Sequence, residues 1–129
     1  MIFGIGTDIV TVARIDAAMQ RHGVAFAERI LSAHELAEFA AQTHQARFLS
    51  RRFAAKEAFA KATGQGLRHP VSLHRITVSH DDLGKPVFQF DAELAEHLRK
   101  IGVVRHHLSI SDERDTAVAF VILEGKSDG

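Results

Sequence analysis

Between Ala46 and Ala62 the chain reads ARFLSRRFAAKEAFAKA, a run of helix formers without proline or glycine. At about 100° per residue, Phe48, Leu49, Phe53, Phe59 and Ala60 group on one side of this helix, and Ala54, Ala58 and Ala62 on another. Ser50, Glu57 and Lys61 fall in a narrow strip between them, while Arg52 and Lys56 interrupt the large-residue side. A helix apolar on two sides is packed on two sides, so it belongs at the centre of the fold.

The neighbour for its small side is legible at the N-terminus. Ile2 to Val10 alternates as a strand, with Phe3, Ile5, Thr7 and Ile9 on one face and Ile2, Gly4, Gly6, Asp8 and Val10 on the other. Glycine in a strand interior commonly marks the close approach of another backbone or a ligand, and Asp8 stands beside the bared stretch.

The remaining elements follow from caps and turns. Thr11 opens a short amphipathic helix, Val12 to His22, that Gly23 closes. Ser32-Ala33-His34-Glu35 has the form of a capping box and predicts a helix to about Ala41. The central helix ends at Gly64-Gln65-Gly66. An extended stretch, Leu73 to His80, turns at Asp81 to Pro86 into Val87 to Phe90. Asp91 caps a helix, Ala92 to Ile101, that Gly102 ends. Leu108 to Ile110 and Thr116 to Leu123 form a second hairpin. The last strand, AVAFVIL, is apolar on both faces, which fits either a subunit interface or a central strand between helices. The expected fold is a single α+β domain over residues 1–129, mainly antiparallel, without repeats or linkers.

Lys plus Arg and Asp plus Glu both number 16, so no global field draws nucleic acid or an anionic membrane, and any basic patch is local. With no cysteine, thiol catalysis, thiolate metal sites and disulfides are excluded, as suits a reducing compartment. MIFGIGTDIV lacks a basic leader, and no apolar run approaches the roughly 18 residues a membrane helix needs. A cytoplasmic protein is expected. The nine histidines are dispersed; His106 and His107 are adjacent on a strand and face opposite ways, which argues against a zinc site.

Glu57 and Lys61 invite two readings. They can form an i,i+4 ion pair on a solvated edge, contributing about 0.2 to 0.5 kcal/mol. Alternatively, Glu57 converges with Asp8 where the glycines admit the helix. Two close carboxylates repel unless a cation lies between them, and Mg²⁺ suits such a pair because it takes oxygen ligands, keeps waters and is completed by substrate phosphates. Lys61 would add a charge for a phosphate oxygen. Such a constellation suits phosphoryl chemistry, where positioning and neutralisation supply most of the catalysis.

Gly4-Ile5-Gly6-Thr7-Asp8-Ile9-Val10, Arg51-Arg52-Phe53-Ala54-Ala55-Lys56-Glu57-Ala58 with Lys61, Leu83-Gly84-Lys85-Pro86 and His107-Leu108-Ser109-Ile110 together resemble the holo-(acyl-carrier-protein) synthases, the small group of phosphopantetheinyl transferases. The match runs the whole chain in order. It implies transfer of 4'-phosphopantetheine from coenzyme A to a serine of apo acyl carrier protein, releasing adenosine 3',5'-bisphosphate, with fatty acid synthesis as the pathway. By the same resemblance Asp8 and Glu57 bind Mg²⁺ with the coenzyme A diphosphate, and Lys61 touches the phosphates and eases departure of the nucleotide. The serine proton goes to Glu57 or to a metal-held water.

The resemblance further implies a homotrimer with sites between subunits. Arg52 and His107 become candidates for the 3'-phosphate of coenzyme A, and Gly64 and Pro86 for the nucleotide pocket. Arg14 and Arg21, seven residues apart and so on one helix face, resemble carrier-docking arginines. Where some members place histidine after the serine of the second hairpin this chain has Ser111-Asp112, so Asp112 inherits no histidine role. A Mg²⁺-dependent phosphohydrolase and a non-enzymatic coenzyme A binding module are the competing readings.

Overall fold

The computed structural model describes residues 1–127. Ten elements follow one another: β1 (Ile2–Thr11), α1 (Val12–His22), α2 (Val24–Ile30), α3 (Ala33–Ala40), α4 (Gln45–Thr63), β2 (Ile76–His80), β3 (Pro86–Phe90), α5 (Ala92–Ile101), β4 (Val103–Asp112) and β5 (Thr116–Gly125). A single 3-10 turn, Leu73–Arg75, leads into β2. The expected α+β class, antiparallel pairing and central helix are all present.

β1, β5 and β4 form one antiparallel sheet in that order, and β2 and β3 a separate hairpin. Register in the first sheet sets Gly4 opposite Leu123, Gly6 opposite Val121 and Asp8 opposite Ala119. α4 packs across this sheet. Ala54, Ala58, Phe59 and Ala62 join Ala119, Val121 and Leu123 with Ile76, Val78, Phe88, Leu94 and Leu98 in the larger core cluster. Phe48 and Leu49, nearer the start of α4, belong to a second cluster with Val10, Ile15, Ile30, Leu31 and Phe39. The large residues of α4 therefore do not share one neighbour, as the helical projection had them do. The helix is long enough to pass through both cores.

Local chemistry sets the ends of the elements. In α3 the Ser32 side chain accepts from the backbone N–H of Glu35, and Glu35 accepts from that of Ser32, completing the capping box. Asp91 accepts from Leu94 N–H at the start of α5. Thr11 precedes α1 but makes no capping bond through its side chain.

Three elements differ from expectation. α2 was not foreseen, because seven residues directly after Gly23 are too few to show a helical period. Leu73 to Arg75 is a 3-10 turn rather than the start of a strand. β4 begins at Val103, five residues before the hairpin strand expected from Leu108, and carries His106 and His107 on the same edge strand.

β5 is the central strand, yet only one of its faces is covered. Ala117, Ala119, Val121 and Leu123 are buried, whereas Phe120 is 56% exposed and stands on the same open face as Ile5 at 68% and Ile9 at 66%.

Candidate active site

The two glycines of β1 meet the backbone of α4. A Cβ on Gly4 would lie 2.0 Å from the carbonyl oxygen of Ala62, and one on Gly6 would lie 2.0 Å from that of Ala58. No side chain fits there, so only glycine lets strand and helix touch. Val10, next on the same face beyond Asp8, is buried. Asp8 is thereby held beside the polar strip of α4.

Lys61 does not close an ion pair with Glu57. Its ammonium donates across to β1, to Thr7 O at 3.0 Å and Asp8 Oδ1 at 3.1 Å. Glu57 is half-buried, and its carboxyl is pushed above the ordinary range, first by burial and then by the nearby charge of Asp8; Lys61 and Arg14 oppose the rise. The repulsion from Asp8 puts the two carboxylates within electrostatic reach, although they lie on different elements. Both sequence readings of Glu57 and Lys61 thus meet here: Lys61 is paired, but with the strand aspartate.

No group of three or more His, Asp or Glu side chains able to hold a metal occurs among the described residues. A divalent ion on Asp8 and Glu57 would take its other oxygens from substrate and water. That donor set fits Mg²⁺, which seldom occupies an all-protein cage, and it would relieve the Asp8 repulsion that adds to the effect of burial on Glu57. Gly64, in the left-handed conformation (φ 79°), ends α4 one turn beyond Lys61. Its place is set by helix termination whatever else it lines.

Among the described residues no side chain of the other candidates bonds to Asp8, Glu57 or Lys61. Arg52 turns inward from α4. It is 5% exposed, with NH1 donating to Glu35 Oε2 at 3.0 Å and to Val78 O at 2.8 Å, and its guanidinium lies 4.4 Å from the Phe48 ring centre. With Arg51, Val78, His80, Gly84, Pro86, Ile110 and Asp112 it lines a cavity of about 200 Å³, so Arg52 and Pro86 are brought together. His107, on β4, hydrogen-bonds Glu124 Oε2 at 2.7 Å and does not line that cavity. Arg14 and Arg21 are both exposed on α1, and Arg14 is the one whose charge reaches Glu57.

Sequence reasoning missed Glu35 and Lys56. Both side chains are fully buried and paired with each other. Burial would raise the Glu35 carboxyl, but the Lys56 charge and hydrogen bonds from Lys56, Ser32 and Val78 outweigh it and hold the carboxyl below its usual range. Burial pulls Lys56 down to about 8 against the opposing pull of Glu35. The capping box marked Glu35 as a helix cap, but nothing local signals that the same carboxylate also reaches β2.

Comparison with known proteins gives this geometry a family. The model of the 4'-phosphopantetheinyl transferase superfamily matches residues 4–121. The chain belongs to the 4'-phosphopantetheinyl transferase superfamily. It is 55% identical over 124 residues to the holo-(acyl-carrier-protein) synthase of Nitrosospira multiformis, covering 96% of this chain and 99% of the relative. To that of Laribacter hongkongensis it is 56% identical, covering 97% and 100%. The crystal structure of holo-(acyl-carrier-protein) synthase from Neisseria meningitidis superposes with a TM-score of 0.93 at 50% identity, covering 96% and 99%. One from Bacillus anthracis, in complex with CoA (3',5'-ADP), superposes with a TM-score of 0.79 at 37% identity, covering 98% and 99%. This transferase is accordingly an enzyme of the holo-(acyl-carrier-protein) synthase group.

Proposed function

We propose that the protein transfers 4'-phosphopantetheine from coenzyme A to a serine of apo acyl carrier protein in a Mg²⁺-dependent reaction that supports fatty acid synthesis in the cytoplasm. The observation that carries this reading is the docking of β1 onto α4 at Gly4 and Gly6, which sets Asp8 against Lys61 and within the field of Glu57. The names of its relatives supply the substrate pair.

In this reading the serine oxygen forms a bond to the phosphorus that bears pantetheine. The bond from that phosphorus to the bridging pyrophosphate oxygen breaks, and adenosine 3',5'-bisphosphate leaves. Asp8 and Glu57 are the residues that would hold Mg²⁺, which when bound would supply charge neutralisation for the diphosphate. Lys61, which reaches Asp8 from an exposed position, turns its ammonium toward the phosphates and the leaving oxygen. Glu57 is the carboxylate the fold offers to the departing serine proton, directly or through one water. Arg14 and Arg21 present the carrier-docking face on α1, and Arg14 ties that face to the reacting centre.

Two features favour sites shared between subunits, as in the homotrimer that the resemblance implies. Arg52 and Glu57 are five residues apart on one rigid helix and so point about 140° from each other. One coenzyme A molecule touching both kinds of residue is easier to place across two protomers than around one. The open apolar face of Ile5, Ile9 and Phe120 also wants cover. Gly64 and Pro86 would then border the nucleotide pocket, and Arg52 and His107 the 3'-phosphate of coenzyme A. No helix is long and apolar enough to cross a membrane among the described residues.

The test is mass spectrometry of apo carrier protein after incubation with this protein, coenzyme A and Mg²⁺. A gain of one phosphopantetheine on one serine is expected, and an unchanged carrier overturns the reading. Adenosine 3',5'-bisphosphate released equally without carrier would instead make the protein a hydrolase, and binding without turnover a coenzyme A binding module.

A further inference from the structure

Glu35 lies at the meeting point of α3, α4 and β2. Its Oε1 accepts from Ser32 N–H at 3.0 Å and from Lys56 Nζ, and its Oε2 accepts from Val78 N–H at 2.9 Å and Arg52 NH1 at 3.0 Å. The carboxylate is fully buried and four donors converge on it. Lys56 spends its other two N–H groups on Ile30 O at 2.7 Å and Leu73 O at 3.1 Å, so its ammonium is saturated and 0% exposed. Arg52 is different. NH1 is committed to Glu35 and Val78 O, with Glu38 Oε1 at 3.6 Å, while Nε and NH2 have no acceptor among the described residues. The same side chain lines the cavity shared with Arg51, His80, Gly84 and Pro86.

We propose that Glu35 is a positioning residue for donor binding: it clamps NH1 of Arg52 from behind and so presents the guanidinium's unpaired N–H groups to an anionic group entering that cavity. A guanidinium has five donors in a rigid plane, so fixing one terminal nitrogen fixes the direction of the rest. Preorganisation of this kind lowers the ordering cost of binding. Lys56 balances the buried carboxylate and holds it against α4. The proposal rests on the reading that this cavity receives the phosphorylated nucleotide end of coenzyme A.

The test compares the wild-type enzyme with E35Q, R52A and the double variant, using coenzyme A and 3'-dephospho-coenzyme A as donors and a fixed saturating carrier. Gln keeps the size of Glu but puts an amide NH₂ where Oε1 or Oε2 must accept. E35Q is expected to raise KM for coenzyme A about tenfold, as losing a charge-assisted hydrogen bond does. Both kcat and the KM for 3'-dephospho-coenzyme A should stay within about twofold, because only coenzyme A carries the 3'-phosphate. In the R52A background E35Q should add nothing further. Should E35Q fail to fold, E35M/K56M, which replaces the buried pair by apolar chains of similar length, is expected to show the same KM split. Equal KM increases for both donors, an unchanged KM for coenzyme A, or an undiminished effect of E35Q in the R52A background would overturn the proposal. A wild-type protein that makes no holo carrier protein would refute the functional reading itself; an active wild type indifferent to Glu35 refutes this inference alone.

Discussion

Gly6 of β1 and Ala58 of α4 touch backbone to backbone: a Cβ on Gly6 would come 2.0 Å from the Ala58 carbonyl oxygen and 2.8 Å from the Ala62 amide nitrogen. Backbone cannot yield as a flexible side chain can. Gly6→Ala should therefore push strand and helix apart, at a cost of about 1 to 3 kcal/mol or more. Asp8 would move with the strand, so activity should fall by about a hundredfold or more even where the fold survives. Thermal unfolding together with a holo carrier protein assay checks both; full activity in Gly6→Ala would contradict the close packing.

Glu57 separates stability from function. Its raised carboxyl means that the fold favours the protonated form: that contribution is present below the unfolded value and lost as pH rises through the folded one. At neutral pH the charged Glu57 is a local liability, and Glu57→Gln should leave Tm unchanged or slightly higher. Turnover should drop by orders of magnitude, and chelating the divalent ion should silence the wild type until Mg²⁺ is restored. A fall in Tm with retained activity is the contrary result.

His106 makes the fold sensitive to acid. Its Nε2 accepts from Phe88 N–H at 3.0 Å, with the ring packed against those of Phe88 and Phe90, and burial, aided by His107 and Lys85, lowers its pKa. A protonated ring would put a donor where an acceptor is needed. The unfolded chain takes up its proton near the ordinary value of about 6.5 and the folded chain only lower, so stability should decline as pH falls below about 6.5. The denaturation midpoint should drop more between about pH 7.5 and 5.5 in the wild type than in His106→Gln. Identical declines would remove His106 from the account.

Arg21 offers the cleaner test of carrier docking, because Arg14 also feels Glu57. Arg21→Ala should raise KM for acyl carrier protein about tenfold, leave KM for coenzyme A unchanged and flatten the salt dependence of the rate. Equal loss toward both substrates would defeat the assignment.

Phe120 is the most direct probe of assembly, since it stands 56% exposed, between Thr7 and Ser109, on the open sheet face that also carries Ile5, Ile9 and Ile122. Phe120→Glu should fold, because none of the described residues covers it, yet light scattering should report a monomer and the transferase assay no product. An active monomer would sink the shared site.

Local order was largely legible in the amino-acid sequence. The capping box at Ser32, the Asp91 cap, the terminating Gly64 and Gly102 and the two-sided burial of α4 depend on neighbours a few residues away, so their signals lie within a short window. Gly4, Gly6 and Asp8 announced a close approach, and Glu57 and Lys61 a charged seam, but not which charges would meet. Tertiary structure decided that Lys61 crosses to Asp8, that Arg52 and Lys56 turn inward onto Glu35, and that His106 bridges β4 and β3. Each of those contacts joins residues 17 or more positions apart. A buried charge looks like any surface charge until the chain folds and shows whether a partner comes to meet it.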